Sequence, residues 1–158
     1  MIKVYLTCFL LFMTAFLTQA QVQSDNLSKA RAEILPLFKA MMAAANSQDA
    51  EKHLSFYAKE PTLLFVINDQ KIKGWNTLLK QQRKWWHNGK SDVKYKLIGK
   101  PDFRMFAPGL VMATFFLTSH RTLSGGHTGN SKFGISDLWQ KRLEGWLIIY
   151  SHESMVIK

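Results

Sequence analysis

The chain has 158 residues, with 21 Lys and Arg against 11 Asp and Glu, which gives a formal net charge of +10 at pH 7. Its basic residues form no block longer than pairs such as Arg83-Lys84. A diffuse positive surface is more typical of a soluble protein than of a nucleic-acid-binding stripe, so nucleic acid is not among the expected partners. The single cysteine, Cys8, excludes a disulfide within the chain and a zinc site built from cysteines.

Residues 1–20 have the three parts of a secretory signal peptide. Lys3 supplies the positive start, residues 4–17 are apolar except for two threonines, and Thr18-Gln19-Ala20 offers small residues at a cleavage site. We therefore predict cleavage after Ala20. An uncleaved membrane anchor is the alternative, but a spanning helix needs about 20 apolar residues, and this run is shorter.

Cleavage would leave residues 21–158 as one secreted or periplasmic domain. Lys3 is the only charge in the signal, so 20 basic and 11 acidic side chains remain, a net charge of +9. Cys8 would be lost with the signal. No other apolar run is long enough to predict stable membrane insertion.

The first half of the mature chain predicts three helices. Residues 21–26 are polar and predict a loose tail, after which apolar side chains recur at helical spacing up to Ala45, with a kink expected near Pro36. A short second helix is expected from Ser47 or Asp49 to about Ala58, and a third over about residues 76–86.

The remaining segments predict strands. Residues 63–67 and 71–73 flank a turn and form a first hairpin. Four further segments follow at residues 93–106, 110–120, 128–141 and 146–157, separated mainly by Gly-containing turns. Helices followed by a long antiparallel meander indicate an α+β fold, a curved sheet wrapped around the helices.

The C-terminal string SDLWQKRLEGWLIIYSHES resembles the SnoaL-like members of the nuclear-transport-factor-2-like superfamily. In that family the last hairpin commonly has a hydrophobic-Trp strand, a basic turn with Gly, a Trp and then His-x-Ser. The matching residues in this chain are Leu138, Trp139, Lys141, Gly145, Trp146, His152 and Ser154. The strand LLFVI and the string KIKGW also match.

The resemblance implies a cone with a pocket at its open end. Relatives include isomerases, dehydratases, cyclases and members without known activity, and dimers through the outer face of the sheet are common among them. Fold alone says little about activity. An exposed row of Val111, Ala113, Phe115 and Leu117 on that outer face would support a homodimer.

The last hairpin predicts an acid–base pair. A two-residue turn at Glu144-Gly145 would place Asp137 opposite His152 on one face of the sheet, close enough for the carboxylate to orient the imidazole. The alternative is a purely structural ion pair. Aromatic residues expected to line the pocket and bind a ligand are Trp75, Trp86, Phe116, Trp139 and Tyr150.

A metal site is not expected. His120 and His127 flank a Ser-Gly-Gly turn, but two histidines without a fixed third ligand are usually polar turn residues. No cofactor-binding motif is present in the sequence.

The sequence therefore predicts an exported domain that binds a small apolar molecule. If it is an enzyme, the resemblance implies a cofactor-independent isomerase, dehydratase or cyclase that transfers a proton through Asp137 and His152. The alternative is a non-catalytic interaction or dimerisation module of the cell envelope.

Overall fold

The computed structural model describes the backbone of residues 2–122 and 127–157 and the side chains of residues 24–122 and 127–156. The described backbone contains three α-helices and, after them, one 3-10 turn over His87–Gly89. The helices are α1 Ile2–Asn46, α2 Ala50–Leu54 and α3 Trp75–Trp85. Among the residues whose side chains are described, 24–122 and 127–156, no helix is long and apolar enough to cross a membrane.

The helix boundaries differ from the predicted ones mainly at α1. Residues 21–26, predicted as a loose tail, continue the helix, and Pro36 lies inside it without ending it. The start of α2 follows its expected cap, because the Asp49 carboxylate accepts a hydrogen bond from the Lys52 backbone N–H at 2.9 Å.

Six strands form one sheet in the order β2-β1-β6-β5-β4-β3, which curves around the helices without closing. All neighbours are antiparallel except β1 and β6, which are parallel, so the sheet is mixed. The strands are β1 Leu64–Ile67, β2 Gln70–Lys73, β3 Lys94–Ala107, β4 Leu110–Thr122, β5 Thr128–Arg142 and β6 Gly145–Ile157. The expected α+β cone is thus confirmed.

The core lies between α1 and the concave face of the sheet. Ile34, Phe38 and Met41 are buried on one side of the helix, and the Phe38 ring meets the Phe115 ring edge-on at 4.7 Å between centroids. Each fully buried side chain of this size stabilises the fold by about 1.5–3 kcal/mol. The packing of α1 therefore determines which face of the sheet is buried, and we call this the inner face.

The predicted orientation of β4 is wrong. Val111, Ala113, Phe115 and Leu117 face inward and are buried, whereas Phe116 lies on the outer face and is 56% exposed. Both sets of alternate side chains on β4 are apolar, so the sequence does not indicate which set α1 covers.

The predicted pairing of β5 with β6 is also wrong. The turn comes one residue earlier than expected, with Arg142 paired to Gly145, and Ile149 is then an extra residue between the pairs Trp139–Ile148 and Leu138–Tyr150. Asp137 consequently faces Ser151, while His152 faces Ser136. A net slip of one residue moves a side chain to the opposite face of a sheet.

Candidate active site: an acid pair in an apolar cavity

A cavity of about 200 Å³ lies between the helices and the inner face of the sheet. Its walls are mostly aromatic and thioether side chains, among them Met41, Tyr57, Trp85, Trp86, Phe115 and Phe133. A largely apolar cavity with a few polar groups is the usual form of a small-molecule site.

Asp137 is the most unusual residue of the cavity. It projects from β5, has no solvent exposure, and neither carboxylate oxygen has a hydrogen-bond partner among the described residues. Burial disfavours the charged carboxylate and raises the pKa of Asp137 to about 7. The neighbouring Ser151 hydroxyl opposes this rise, although no hydrogen bond of normal geometry joins the two.

Glu153 is a second acid in the same cavity. It lies on β6 opposite Ile135, two residues along from Ser151, so it is the diagonal neighbour of Asp137 on the inner face. Burial, and secondarily the charge of Asp137, raises the pKa of Glu153 to about 8. At neutral pH the pair can therefore hold one protonated and one ionised carboxyl group.

Tyr57 supplies a hydroxyl group to the cavity. It follows α2, is buried, and its pKa is raised well above 10 by burial and by the charges of Asp137 and Glu153. Its phenol group therefore stays protonated at physiological pH and can donate a hydrogen bond.

His53 is a neutral polar group in the cavity wall. Burial lowers the pKa of His53 to about 4, and its Nδ1 lies 3.3 Å from the Met41 carbonyl oxygen. A carbonyl oxygen only accepts, so Nδ1 carries the proton and Nε2 is an acceptor. A neutral imidazole does not compensate the acid pair with positive charge.

Only two of the predicted site residues line this cavity, Asp137 and Trp86. Trp139 is inside the fold but packed fully into the core, away from the cavity lining, and its Nε1 has no partner in the described chain. Trp75 is the first residue of α3, and its Nε1 donates a hydrogen bond to the Leu54 carbonyl oxygen at 2.9 Å. Trp139 and Trp75 therefore contribute to the packing of the fold rather than to the cavity wall.

The other three lie on the outer face of the sheet. His152 is exposed, Phe116 extends over Gly134, and Tyr150 pairs with Leu138. The structure therefore does not bring Asp137 and His152 together. His152 points away because Ile149 and the early turn shift the register of β6.

Sequence reasoning missed Glu153, Tyr57 and His53 as cavity residues. Glu153 lies two residues from both Ser151 and Met155 on β6. Because side chains alternate along a strand, an inward-facing Ser151 implies that Glu153 also faces inward. His53 and Tyr57 lie four residues apart at the end of a short helix, a spacing that also suits ordinary packing.

The histidine pair considered for a metal does not form a site with a third ligand. The Nδ1 of His120 lies 3.0 Å from the Asn130 side-chain oxygen, and His127 is exposed. Among the described side chains of residues 24–122 and 127–156, no group of three His, Cys, Asp or Glu residues could hold a metal ion.

Comparison with solved structures identifies the architecture. An NTF-2 like protein of unknown function from Shewanella oneidensis MR-1 aligns over 78% of this chain and 97% of its own, with 23% identity and a TM-score of 0.64. The chain has the nuclear-transport-factor-2-like fold. No family model and no curated protein matches it.

Two further solved structures with this fold carry names that mention an activity. The hexachlorocyclohexane dehydrochlorinase LinA-type3 from Novosphingobium barchaimii LL02 aligns over 85% of this chain and 92% of its own, with 13% identity and a TM-score of 0.70. A ketosteroid isomerase-like protein from Erwinia carotovora atroseptica aligns over 79% and 95%, with 14% identity and a TM-score of 0.64. At these identities the likeness shows the fold alone.

Proposed function

We propose that the cavity binds a small, largely apolar molecule and that Asp137 and Glu153 move a proton on it. The observation that carries this proposal is the full burial of Asp137 in the cavity wall without a hydrogen bond to either oxygen in the described chain. Leaving such a group unpaired costs folding free energy, and strongly perturbed acids in cavities are frequent at functional sites.

The chemistry follows from two acids and a phenol that line the same cavity. The Asp137 carboxylate would take a proton from a carbon atom next to a carbonyl or similar electron-withdrawing group. Tyr57 and protonated Glu153 would donate hydrogen bonds to the oxygen on which negative charge develops. Return of the proton to a different carbon gives isomerisation, and departure of a neighbouring leaving group gives elimination.

The setting of the acid pair supports the proposal in a second way. A base works best when its pKa is near the working pH, and the pKa of Asp137 is raised to about 7. The surrounding aromatic and thioether side chains exclude water, which strengthens the electrostatic interactions within the cavity. Two structures that share the fold are named as an isomerase-like protein and a dehydrochlorinase, which guides the choice of test reactions.

Conversion of β,γ-unsaturated ketones to conjugated ketones tests the proposal. Cyclohex-3-enone and larger bicyclic analogues would be incubated with the protein in D₂O, with product and deuterium incorporation followed by NMR. Asp137→Asn should reduce the rate about 10²- to 10⁴-fold, as expected for loss of a general base. The matched control is His152→Gln, because His152 is exposed on the outer face.

An unchanged rate in Asp137→Asn would rule out the acid pair as the catalyst. The second candidate, a binding protein without catalysis, is favoured by the apolar cavity itself. Native mass spectrometry of the purified protein tests it: a retained small molecule, together with no turnover of any ketone, would replace the catalytic proposal with the binding one.

We further propose that this activity takes place outside the cytoplasm. Support comes from the N-terminal sequence pattern, in which Lys3, an apolar stretch and Ala20 have the order and spacing of a cleavable signal.

A further inference from the structure

The mouth of the cavity differs in chemistry from its interior. Tyr95, Ser119 and Ser131 are cross-strand partners on β3, β4 and β5, so they form one row across the inner face. Arg121 is the next inward-facing position of β4 and also lines the cavity. Its cross-strand partner is Gly129, which has no side chain to occupy the space beside it.

Three polar side chains at the mouth, those of Arg121, Ser119 and Ser131, have no ion-pair or hydrogen-bond partner among the described residues. Arg121 forms no ion pair with any residue in the described ranges, where the salt bridges join Arg83 to Glu51, Lys141 to Glu33 and Arg142 to Glu60. Over the same ranges, the hydroxyls of Ser119 and Ser131 make no side-chain hydrogen bond, although Ser119 is only 7% exposed.

Tyr95 connects the mouth to the acid pair. Its hydroxyl oxygen accepts a hydrogen bond from Trp86 Nε1 at 3.0 Å, which leaves the hydroxyl proton free to be donated. Both Arg121 and Glu153 act electrostatically on the Tyr95 phenol, in opposite directions. The Tyr95 ring lies 6.1 Å from the Phe133 ring, between centroids, and lines the same cavity as Arg121 and Glu153.

We infer that Arg121, Tyr95, Ser119 and Ser131 form a binding site for a carboxylate head group, and that the ligand is an elongated apolar carboxylic acid. The guanidinium fork matches a carboxylate, and the three hydroxyls can complete its hydrogen bonds. A single unpaired cation suits a monoanion better than a doubly charged phosphate. The apolar body would then extend past Leu117 and Phe133 toward the acid pair.

Charge in the interior does not oppose this orientation. Glu153 has its pKa raised to about 8, so it is mainly neutral at pH 7. An inverted ligand would place its carboxylate beside Asp137, with no cation nearby and at the cost of burying two acids together. This inference rests on the proposed function only in that the same cavity holds the ligand.

Calorimetric titration with octanoic acid, octanol and octylamine at pH 7 tests the assignment. Octanoate should bind about tenfold more tightly than octanol, the size expected for a charge-assisted hydrogen bond. Arg121→Gln should remove most of this preference and leave octanol binding unchanged, whereas Arg121→Lys should retain part of it. Ser119→Ala should weaken octanoate binding a few-fold without affecting octanol.

Lys132→Gln is the matched charge control. Lys132 follows Ser131 on β5 and is exposed on the opposite face, so its loss changes net charge equally without touching the mouth. Equal binding of octanoate and octanol, no binding of any of the three compounds, or an equal loss in Lys132→Gln and Arg121→Gln would overturn the inference. Tightest binding of octylamine would overturn it too, and would make the acid pair a cation site.

The two proposals fail separately. Loss of the octanoate preference with intact, Asp137-dependent proton transfer would remove only the head-group site. An Arg121-dependent octanoate preference without any proton transfer would remove only the catalytic role.

Discussion

Asp137 and Glu153 are diagonal neighbours on the inner face of the sheet, and no described cation pairs with either of them. Each therefore lowers the stability of the fold whenever it is ionised. Two apolar residues at these positions would pack without this cost, so the arrangement is better explained by what the acids do in the cavity than by the stability they provide.

The first prediction concerns the pH dependence of stability. Because folding raises the pKa of Asp137 from 3.8 to about 7, the folded state holds a proton that the unfolded state releases. Stability is therefore highest below pH 4 for this group and falls as pH rises toward 7. Asp137→Asn removes this loss, so its stability relative to wild type should increase between pH 4 and pH 8 by about 2–4 kcal/mol.

Urea unfolding at the two pH values measures this difference. Glu144→Gln is the control, since it makes the same acid-to-amide change at an exposed turn residue, where substitutions usually have small effects. A stability difference between Asp137→Asn and wild type that stays constant with pH would show that Asp137 is not buried as an uncompensated acid.

A second prediction concerns the coupling of the two acids. The Asp137 charge contributes to the raised pKa of Glu153, but burial is the larger cause. In Asp137→Asn the pKa of Glu153 should therefore fall and still remain above 4.5. Carbon-13 NMR titration of the Glu153 carboxyl, assigned by its loss in Glu153→Gln, follows this change. An unchanged pKa would place the two carboxyls too far apart to share a site.

Much of the fold was predictable because its physical signals are local. The strands from Leu110 to Ile157 are rich in apolar residues and are separated by glycine-containing turns, and Asp49 has the side chain and spacing of a helix cap. These features depend on residues close in sequence, so their strands and helices could be placed before any tertiary contact was known.

The site was less predictable because it depends on register. Asp137, predicted as half of an acid–base pair with His152, lines the cavity, but its cross-strand neighbour is Ser151. Nothing in the sequence IIYSHE marks Ile149 as the extra residue of a bulge, and this residue decides that Ser151 and Glu153 face inward. Likewise, the sequence does not distinguish Phe115 from Phe116. Phe115 is buried and Phe116 is exposed because α1 packs against only one face of the sheet.

A third prediction separates the two roles of Trp139. The side chain is fully buried, so Trp139→Ala should destabilise the protein by about 3–5 kcal/mol through the cavity it leaves. Its Nε1–H, however, has no acceptor in the described chain. Trp139→Phe removes this unsatisfied donor and should cost about 2 kcal/mol or less. Thermal unfolding compares them; equal losses would mean that the indole N–H is satisfied in solution.

A fourth prediction concerns homodimer formation, which stays an expectation. The apolar surface available for it is formed by Ile98, Phe116 and Val156, which are 44%, 56% and 62% exposed on the outer face. If two copies pack through this face, Phe116→Lys should give monomers in sedimentation experiments. Leu143→Lys, at a fully exposed turn, should not. A wild-type protein that is monomeric at high micromolar concentration would contradict the expectation.

The last prediction concerns the N-terminus. Among residues 24–46 the first buried side chain is that of Ala30, and the helix contributes Ile34, Phe38 and Met41 to the core. A chain of residues 21–158 retains all of these core side chains, so we expect it to unfold at the same temperature as the full chain. If export and cleavage occur as the sequence pattern predicts, N-terminal sequencing of the exported protein should begin at Gln21. Recovery of protein that still begins at Met1 would instead favour the uncleaved anchor. The stability comparison would be unaffected by that result, since both chains contain the described core residues Ala30, Ile34, Phe38 and Met41.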